Sequence, residues 1–453
     1  MCKNFVLALA VCMALAWHPS GLRAQEGLDI GLEEIFGIAD RESRQVQVAL
    51  TGAQAEKEAV RSAKSKRLPD VNLSLSGSYI GTASVLSRGF STSGFTTVPY
   101  AIGVGRVENG AQQTPHWGND FVAQVSQVIY AGGGISAGIR LAELGEKMSL
   151  LDVEKNRQEV RFLLTGHYLE LSKLNNLLEV VRSNIGLTEM VLKSMRARYE
   201  QGTVIKNDIT RFELLLQELR LSETRLSDAA CIVNNQLVTT LHLPKGTVVR
   251  PRELSVEWDN LQQDYWQDVA GEQSIGLQQA RLARDMSQEK VKAVRSEKMP
   301  QVALVVEDRL AGPYVNDLIP VDANVNAWFV GVGIKYNLGS LWRKNHDVRQ
   351  ARINARRSGE EVLLASEGVS KAVQAGFVTL QTSFADVETQ RKKVQMASEH
   401  YDVTNNRYEN GLALLTDMID ASNMKLSADM DLVNARINLT YNYYKLKYIS
   451  GSL

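Results

Sequence analysis

The stretch Arg198-Tyr199-Glu200-Gln201-Gly202 returns as Arg407-Tyr408-Glu409-Asn410-Gly411, and the reading of this pair decides the fold. Each copy closes a long helical pattern, and each glycine suits the left-handed residue that ends a helix. Six residues on stand Asp208 and Asp417, with Asn207 and Thr416 placed to cap a following helix. Each copy therefore reads as the short tip of an antiparallel helical hairpin, and the chain as two such hairpins.

The sequence on either side of the tips agrees. The nine prolines stand at 19, 69, 99, 115, 244, 251, 300, 313 and 320, so 116–243 and 321–453 hold none. Interior proline breaks helices, and these stretches are free to run as very long ones. Ahead of the first tip, Val160, Leu164, Leu171, Leu174, Leu178, Val181, Ile185, Leu192, Met195 and Tyr199 recur in steps of three, four or seven. That is a heptad seam, interrupted by polar residues such as His167 and Thr188. Phe212, Leu216, Leu219, Leu226, Val233, Leu237 and Leu241 carry it onto the second arm. A helix from near Ser136 to Tyr199 is roughly 95 Å long at ~1.5 Å per residue.

Further upstream the duplication continues. Arg67-Leu68-Pro69 matches Lys298-Met299-Pro300, and each closes a charged helical pattern and opens an alternating one. Val71, Leu73, Leu75 and Tyr79 alternate with Asn72, Ser74, Ser76 and Ser78; Trp328, Val330, Val332, Ile334 and Tyr336 alternate with Phe329, Gly331, Gly333, Lys335 and Asn337. Val302, Leu304 and Val306 make a third strand. Residues 120–130 make a fourth, less clean because Gln127 falls on the apolar face. Each run has about the ~9–11 residues that cross a bilayer when tilted. Tyr79, Phe121, Tyr130, Trp328 and Tyr336 at the run ends fit an interfacial belt. Alternation alone fits a soluble sheet with one buried face equally well. A leader and the Gly/Ser/Thr-rich loop 81–98 favour the membrane.

That leader is residues 1–24: Lys3, an apolar run from Phe5 to Trp17, and Leu22-Arg23-Ala24 before a cut ahead of Gln25. Val11 before Cys12 is a poor small residue for lipid attachment. Cys2 and Cys12 leave with the leader, and Cys231 alone forms no intrachain disulfide. No later stretch is apolar enough for a spanning helix, so membrane entry requires closed β-structure. The resulting division is a leader (1–24), a first repeat (25–243) with strands near 71–80 and 120–130 and a tip near 200–208, a linker (244–262), and a second repeat (263–453) with strands near 301–309 and 327–337 and a tip near 409–417. Loops 81–118 and 311–325 differ in length. Four strands cannot close a membrane barrel; three copies give twelve.

Composition excludes other classes. Lys+Arg and Asp+Glu both number 51, so no global charge points to nucleic acid. The histidines at 116, 167, 242, 346 and 400 lack metal-ligand spacing. Gly132-Gly133-Gly134 lacks the Lys-Ser/Thr of a phosphate loop and reads as a strand-to-helix corner. No Ser-His-Asp arrangement is recognisable. Neither catalytic residues, a cofactor nor a metal is expected, and the chain is not expected to be an enzyme.

The order of helix, strand pair and long helical hairpin, repeated once, resembles the TolC-like outer-membrane efflux protein family. The two tip motifs with Asp208 and Asp417 look like that family's periplasmic tips, and Leu68-Pro69 and Met299-Pro300 like its strand starts. In order and duplication the likeness covers nearly all of the mature chain. It implies a mainly α fold with a transmembrane β-barrel part: a homotrimer whose twelve-stranded barrel, four strands per chain, is continuous with a long periplasmic α-helical barrel. It implies a passive export duct in the outer membrane, gated at the tips, working with a periplasmic adaptor protein and an inner-membrane pump and surrounded by outer-membrane lipid. The cargo is not legible.

By the same resemblance, Asp417 and Asp420 are the acidic pore constriction. Spacing of three puts both on one helical face, and six carboxylates from three chains attract cations. Two acids in a first helical turn also serve the macrodipole. Asp208 and Tyr408 match tip residues that hold the closed state. Ala413 stands where the family's gate lock carries arginine; Arg198, Arg211 and Arg407 are the candidates to replace it. Gly202, Thr203, Gly411 and Leu412 are the adaptor-contact tips, with Leu412, Leu414 and Leu415 apolar for an exposed turn. The rival is a trimeric periplasmic coiled-coil scaffold or adhesin without channel activity, which leaves the duplicated strand pairs unexplained.

Overall fold

The computed structural model describes residues 27–79, 106–108, 111–113, 117–252, 262–313 and 323–453. The expected leader with Cys2 and Cys12, the loop 81–98, His116 and most of 253–262 lie outside the described residues.

In chain order the elements are β1 (Gly27–Ile30), α1 (Leu32–Glu42), α2 (Arg44–Ser65), β2 (Asp70–Tyr79), the short β3 (Arg106–Glu108) and β4 (Ala111–Gln113), β5 (Trp117–Ala131), α3 (Gly134–Glu200) and α4 (Lys206–Thr240). Then come β6 (Val248–Pro251), α5 (Gln263–Gln273), α6 (Ile275–Ser296), β7 (Gln301–Gly312), β8 (Val325–Lys335), α7 (Ser340–Arg343), α8 (Asn345–Glu409) and α9 (Leu415–Ser450). The halves match closely in length. α1 and α5 have 11 residues each, α2 and α6 have 22 each. α3 and α8 have 67 and 65, and α4 and α9 have 35 and 36.

Two differences from the sequence reading stand out. What reads as one helix before each strand pair is two helices broken at a single buried serine, Ser43 or Ser274. Each serine is extended or nearly so, yet its N–H donates back to the alanine four residues before it and its carbonyl accepts from the residue four after. The second difference is inside 244–262. It holds β6, which pairs in parallel with β1 in the register Gly27↔Val248 to Ile30↔Pro251. Four residues with no alternation leave no periodic signal.

The chain forms two compact units. One holds Ala53–Met148 and Ala280–Val362. Its sheet has the order β2-β5-β7-β8, antiparallel throughout, so the two strand pairs join through β5 and β7 and the edges β2 and β8 stay open. Registers place Val71, Leu73 and Leu75 beside Val125, Ala123 and Phe121, these beside Val306, Asp308 and Leu310, and Val306 and Leu304 beside Val330 and Val332. One nearly continuous apolar face results, and its members on the edge strands are exposed. The opposite face carries Asn72, Ser74, Gln124 and Glu307, with Arg309 donating twice to the Asp120 carboxylate at 2.9 Å.

Gln127 does share the apolar face. A register shift between Val128 and Tyr130 then puts Tyr130 back opposite Val302, and the Gln127 amide donates to the Arg67 carbonyl at 2.8 Å. A bulge at Ile129 thus brings Tyr130 instead of Ile129 onto the apolar face. At one end of the face stand Tyr79, Trp117, Phe121 and Trp328, with Tyr79 edge-on to Trp117 at 5.2 Å. At the other stand Tyr130 and Tyr336. From Trp328 to Tyr336 is roughly 26 Å along the strand at ~3.3 Å per residue, close to the ~25 Å apolar band of membrane barrels. The glycines that follow β5 make its corner. Gly132 and Gly133 have φ of 59° and 84°, and a Cβ at Gly132 would meet Met299 at 2.4 Å. Among the described residues no helix is long and apolar enough to cross a membrane.

The other unit holds Ser149–Gln279 and Leu363–Leu453 with the described residues up to Gly52. It has three cores. One packs α1 and the β1–β6 pair against α3 and α4 (Ile35, Phe36, Leu164, Tyr168, Leu237, Val249). One packs α5 against α8 and α9 (Trp266, Phe377, Leu380, Tyr443, Leu446). The third joins the two hairpin tips. The expected seam is buried from Val160 to Met195 except at Ile185, which is half-buried, and Tyr199 is exposed. Polar members of the seam are satisfied locally: Thr188 is buried and donates to the Asn184 carbonyl at 2.8 Å. Burial holds His167 below its ordinary pKa.

Candidate functional site

Both tips close in one way. Thr203 N–H donates to Arg198 O (3.0 Å) and Gly202 N–H to Tyr199 O (2.9 Å). Leu412 N–H donates to Arg407 O (2.7 Å) and Gly411 N–H to Tyr408 O (3.0 Å). These paired bonds satisfy carbonyls that a helix end leaves open, and they require a left-handed residue. Gly202 and Gly411 supply it at φ 75° and 73°.

The helices that follow start differently from expectation. The N-cap residues are Ile205 and Leu414, not Asn207 and Thr416, which already lie inside the first turn. Asp208 and Asp417 occupy equivalent third positions. The Leu414 N–H donates to Asp417 Oδ2 at 3.0 Å, so the acid reaches back where a capping side chain was expected. A third-position acid satisfies the start of the helix as well as a hydroxyl at the cap does, which is why Thr416 is spared.

Asp417 and Asp420 are both exposed, while Leu415, Met418 and Ala421 around them are buried in the tip core. The helix therefore sets its apolar face against the first hairpin and holds both carboxylates on open faces. Leu415 is a correction: it is core, and the exposed apolar tip residues are Leu412, Leu414 and Ile205.

Tyr408 is buried in the same core, with Ile209, Phe212 and Met195 of the first hairpin. The Arg198 guanidinium lies over its ring, 5.6 Å from the centroid. Burial pushes the Tyr408 phenol above its ordinary pKa; the Arg198 charge opposes this and the Asp208 charge adds to it. Of the three arginines weighed against the absent one at Ala413, the structure thus brings Arg198 to Tyr408. Arg407 is exposed and reaches only the Leu412 carbonyl at 3.5 Å, and Arg211 is exposed. Ala413 is half-buried against the tip core.

Sequence reasoning passed over Lys425 and Asp429. The Lys425 ammonium sits 4.8 Å from the Tyr401 ring centroid, and burial raises the Asp429 carboxyl while Lys425 opposes it. Acids and lysines on a helix face read as solvated in one dimension. Only the fold, which sets Lys425 against Tyr401 of α8, makes this one half-buried. Among the described residues no group of His, Cys, Asp and Glu is arranged to hold a metal.

Residues 266–452 match the family model described as outer membrane efflux protein. Outer membrane protein TolC of Salmonella enteritidis is 23% identical over 281 residues, 60% of this chain and 53% of that protein. Outer membrane protein TolC of Vibrio cholerae is 21% identical over 458 residues, 99% of this chain and 95% of that protein. Among solved structures, the outer membrane protein VceC of Vibrio cholerae has a TM-score of 0.75 at 14% identity, covering 93% of this chain and 96% of that one. CusC has a TM-score of 0.77 at 13% identity, covering 97% and 96%. With the first two curated relatives, the match spans about half of their length. The fold is that of outer-membrane channel proteins, mainly helical with a β part. Residues 266–452 carry the family match, and the chain as a whole is similar to TolC-like outer-membrane efflux proteins. Its place is the outer membrane, and members of this family are channel proteins rather than enzymes.

Proposed function

We propose that this chain is the outer-membrane channel of a tripartite efflux or type I secretion system, a passive duct from the periplasm to the exterior gated at its periplasmic tips. The observation that carries the reading is the four-stranded sheet. One face is apolar across all four strands but for Gln127 and Asp308, aromatic residues stand at both ends, and among the described residues edges β2 and β8 are unpaired. Open edges are not tolerated in hydrocarbon. Three copies, edge to edge, close twelve strands with the Asp120–Arg309 face inward. A periplasmic adaptor and an inner-membrane pump are the partners, the adaptor meeting the exposed tips at Gly202, Thr203, Gly411 and Leu412. The pump does the energised work. Asp417 and Asp420 form the pore constriction, and Asp208, Tyr408 and Arg198 hold the tips closed within one chain.

The test is single-channel conductance of the detergent-extracted protein in a planar bilayer, with its mass by light scattering. Small cation-selective steps from a trimer are expected. A water-soluble species that never inserts would reject the duct and promote the scaffold. Asp417→Asn with Asp420→Asn keeps an acceptor for the Leu414 N–H and removes the charge. Cation preference and block by multivalent cations are then expected to fall several-fold; unchanged selectivity rejects the ring.

A further inference from the structure

We propose that the helix-bearing end of the sheet is a binding surface for anionic phospholipid headgroups of the periplasm-facing leaflet. This rests on the reading that the sheet crosses the membrane. The pairings Asp70↔Ser126, Ala131↔Gln301 and Gln301↔Lys335 put the ends of all four strands together, and it is from this end that α2, α3, α6 and α7 lead off. Charge gathers there. The whole chain is neutral, yet residues 335–357 hold seven Lys/Arg against one acid, Asp347. The two strand starts on the same end add Lys66, Arg67, Arg295 and Lys298 against Asp70 and Glu297.

Some of these cations are tied down. Lys344 bridges Glu297 (2.7 Å) and Asp347 (3.1 Å), and Lys298 donates to the Asn345 side chain at 2.6 Å. These bonds fix the turn after β8 beside the start of β7. Among the described residues no carboxylate is at ion-pair distance from Arg343, Arg349, Arg352, Lys66, Arg67 or Arg295, and all six are exposed.

Exposed apolar side chains are interleaved with them: Leu338 at 59%, Leu341 at 42% and Trp342 at 63% follow Tyr336 directly. An indole and leucines next to free arginines, one turn below an apolar sheet, match the depth profile of a membrane interface. The rings sit among the glycerol groups and the guanidinium groups reach the phosphates. Arg349 and Arg352 lie about 6 and 10 Å along α8 at ~1.5 Å per residue, within the headgroup layer and one Debye length of ~8 Å beyond it. Each cation so placed favours anionic over zwitterionic lipid by about five-fold. Charge complementarity selects an anionic headgroup, and the adjoining indole and leucines select a lipid over a soluble anion.

The experiment uses the full mature chain in nanodiscs of equal parts phosphatidylethanolamine and phosphatidylglycerol. Lipids that remain bound after brief detergent release are read by native mass spectrometry. The wild-type protein is expected to retain phosphatidylglycerol several-fold above its share. The triple change Arg343→Gln, Arg349→Gln, Arg352→Gln is expected to lose most of that excess, and the Arg→Lys triple to keep it. Protein that enters the discs and holds the two lipids in bulk ratio overturns this surface and leaves the membrane reading intact, as does a Gln triple that keeps the full excess. Protein that never enters the discs overturns both.

Discussion

The two helical hairpins share lengths, tip turns and first-turn acids, yet they are held together differently. Across the first, three arginines meet glutamates on the other arm: Arg182–Glu223 at 2.7 Å, Arg196–Glu213 at 2.8 Å and Arg220–Glu189 at 2.9 Å. Across the second, the polar links are Lys393–Asp431 at 2.9 Å and Asn442 donating to Ser383 at 2.8 Å. The apolar side differs more. α3 buries a run from Val153 to Met195, and α4 adds Phe212, Leu215, Leu216 and Leu219 at the tip. On α8, Val378, Met396 and Val403 stay exposed. The first hairpin also leaves Met190, Leu214, Leu221 and Ile232 exposed. Both hairpins thus keep apolar side chains that nothing in one chain covers, and the first differs in its longer buried run and its three Arg–Glu links.

That difference can be broken or sharpened by mutation. The largest effect is expected at Phe212, which is 1% exposed. Phe212→Ala opens the tip core and costs about 3–5 kcal/mol, read as lost hydrogen-exchange protection at both tips. Met396, 67% exposed in one chain, is the counterpart. Met396→Ala stays within about 0.5 kcal/mol if that face is bare. A loss of ~2 kcal/mol or more, measured on the assembled protein, means that another copy covers it. Next come the tip turns. Gly202→Ala and Gly411→Ala meet no atom within 4 Å, so each is expected to cost about 1–2 kcal/mol from the left-handed backbone alone. Unequal costs, measured by chemical denaturation, would show that the two turns are not equivalent despite their shared hydrogen bonds. The smallest effect belongs to the Arg–Glu pairs, which are largely exposed and worth about 0.2–1 kcal/mol each. Raising salt to ~1 M shortens the Debye length to ~3 Å and is expected to lower exchange protection in the first hairpin more than in the second. Equal losses would remove the electrostatic part of the comparison.

Much of this was legible in one dimension. The seam from Val160 to Met195 is periodic over many turns, and such runs leave little choice but a long helix. The alternation in 71–79 and 328–336 fixed two faces, because a strand has only two. The glycines of the tips were legible because a left-handed turn admits few other residues. What escaped was short or depended on a distant partner. β1 and β6 have four residues each and become strands only because they meet one another. The breaks at Ser43 and Ser274 keep helical hydrogen bonding on both sides, so the periodicity hardly falters. At the tips, Thr416 and Asp417 are both good helix starters, and sequence does not say which reaches the open N–H. Leu415 was misread for a similar reason: its neighbours Leu412 and Leu414 are exposed, and only the facing hairpin gives it cover. Arg198 was one of three equal candidates until the fold set it over Tyr408.

The parallel pairing of β1 with β6 has a consequence in time. Synthesis runs from the amino end, so Gly27–Ile30 is made first and its partner roughly 220 residues later. The Tyr168 hydroxyl, fully buried, lies 3.2 Å from the Ile30 carbonyl and 2.9 Å from that of Arg252, to which it donates. Until residue 252 exists, that hydroxyl lacks its nearer acceptor and Val249 is missing from the core around it. Closing so long a loop is slow as well as entropically costly. The first hairpin can therefore zip from its tip, but its root stays unfinished until the chain has begun its second half. The midpoint of the sequence is the last piece of the first repeat, and the order of manufacture sets the order in which the molecule becomes rigid.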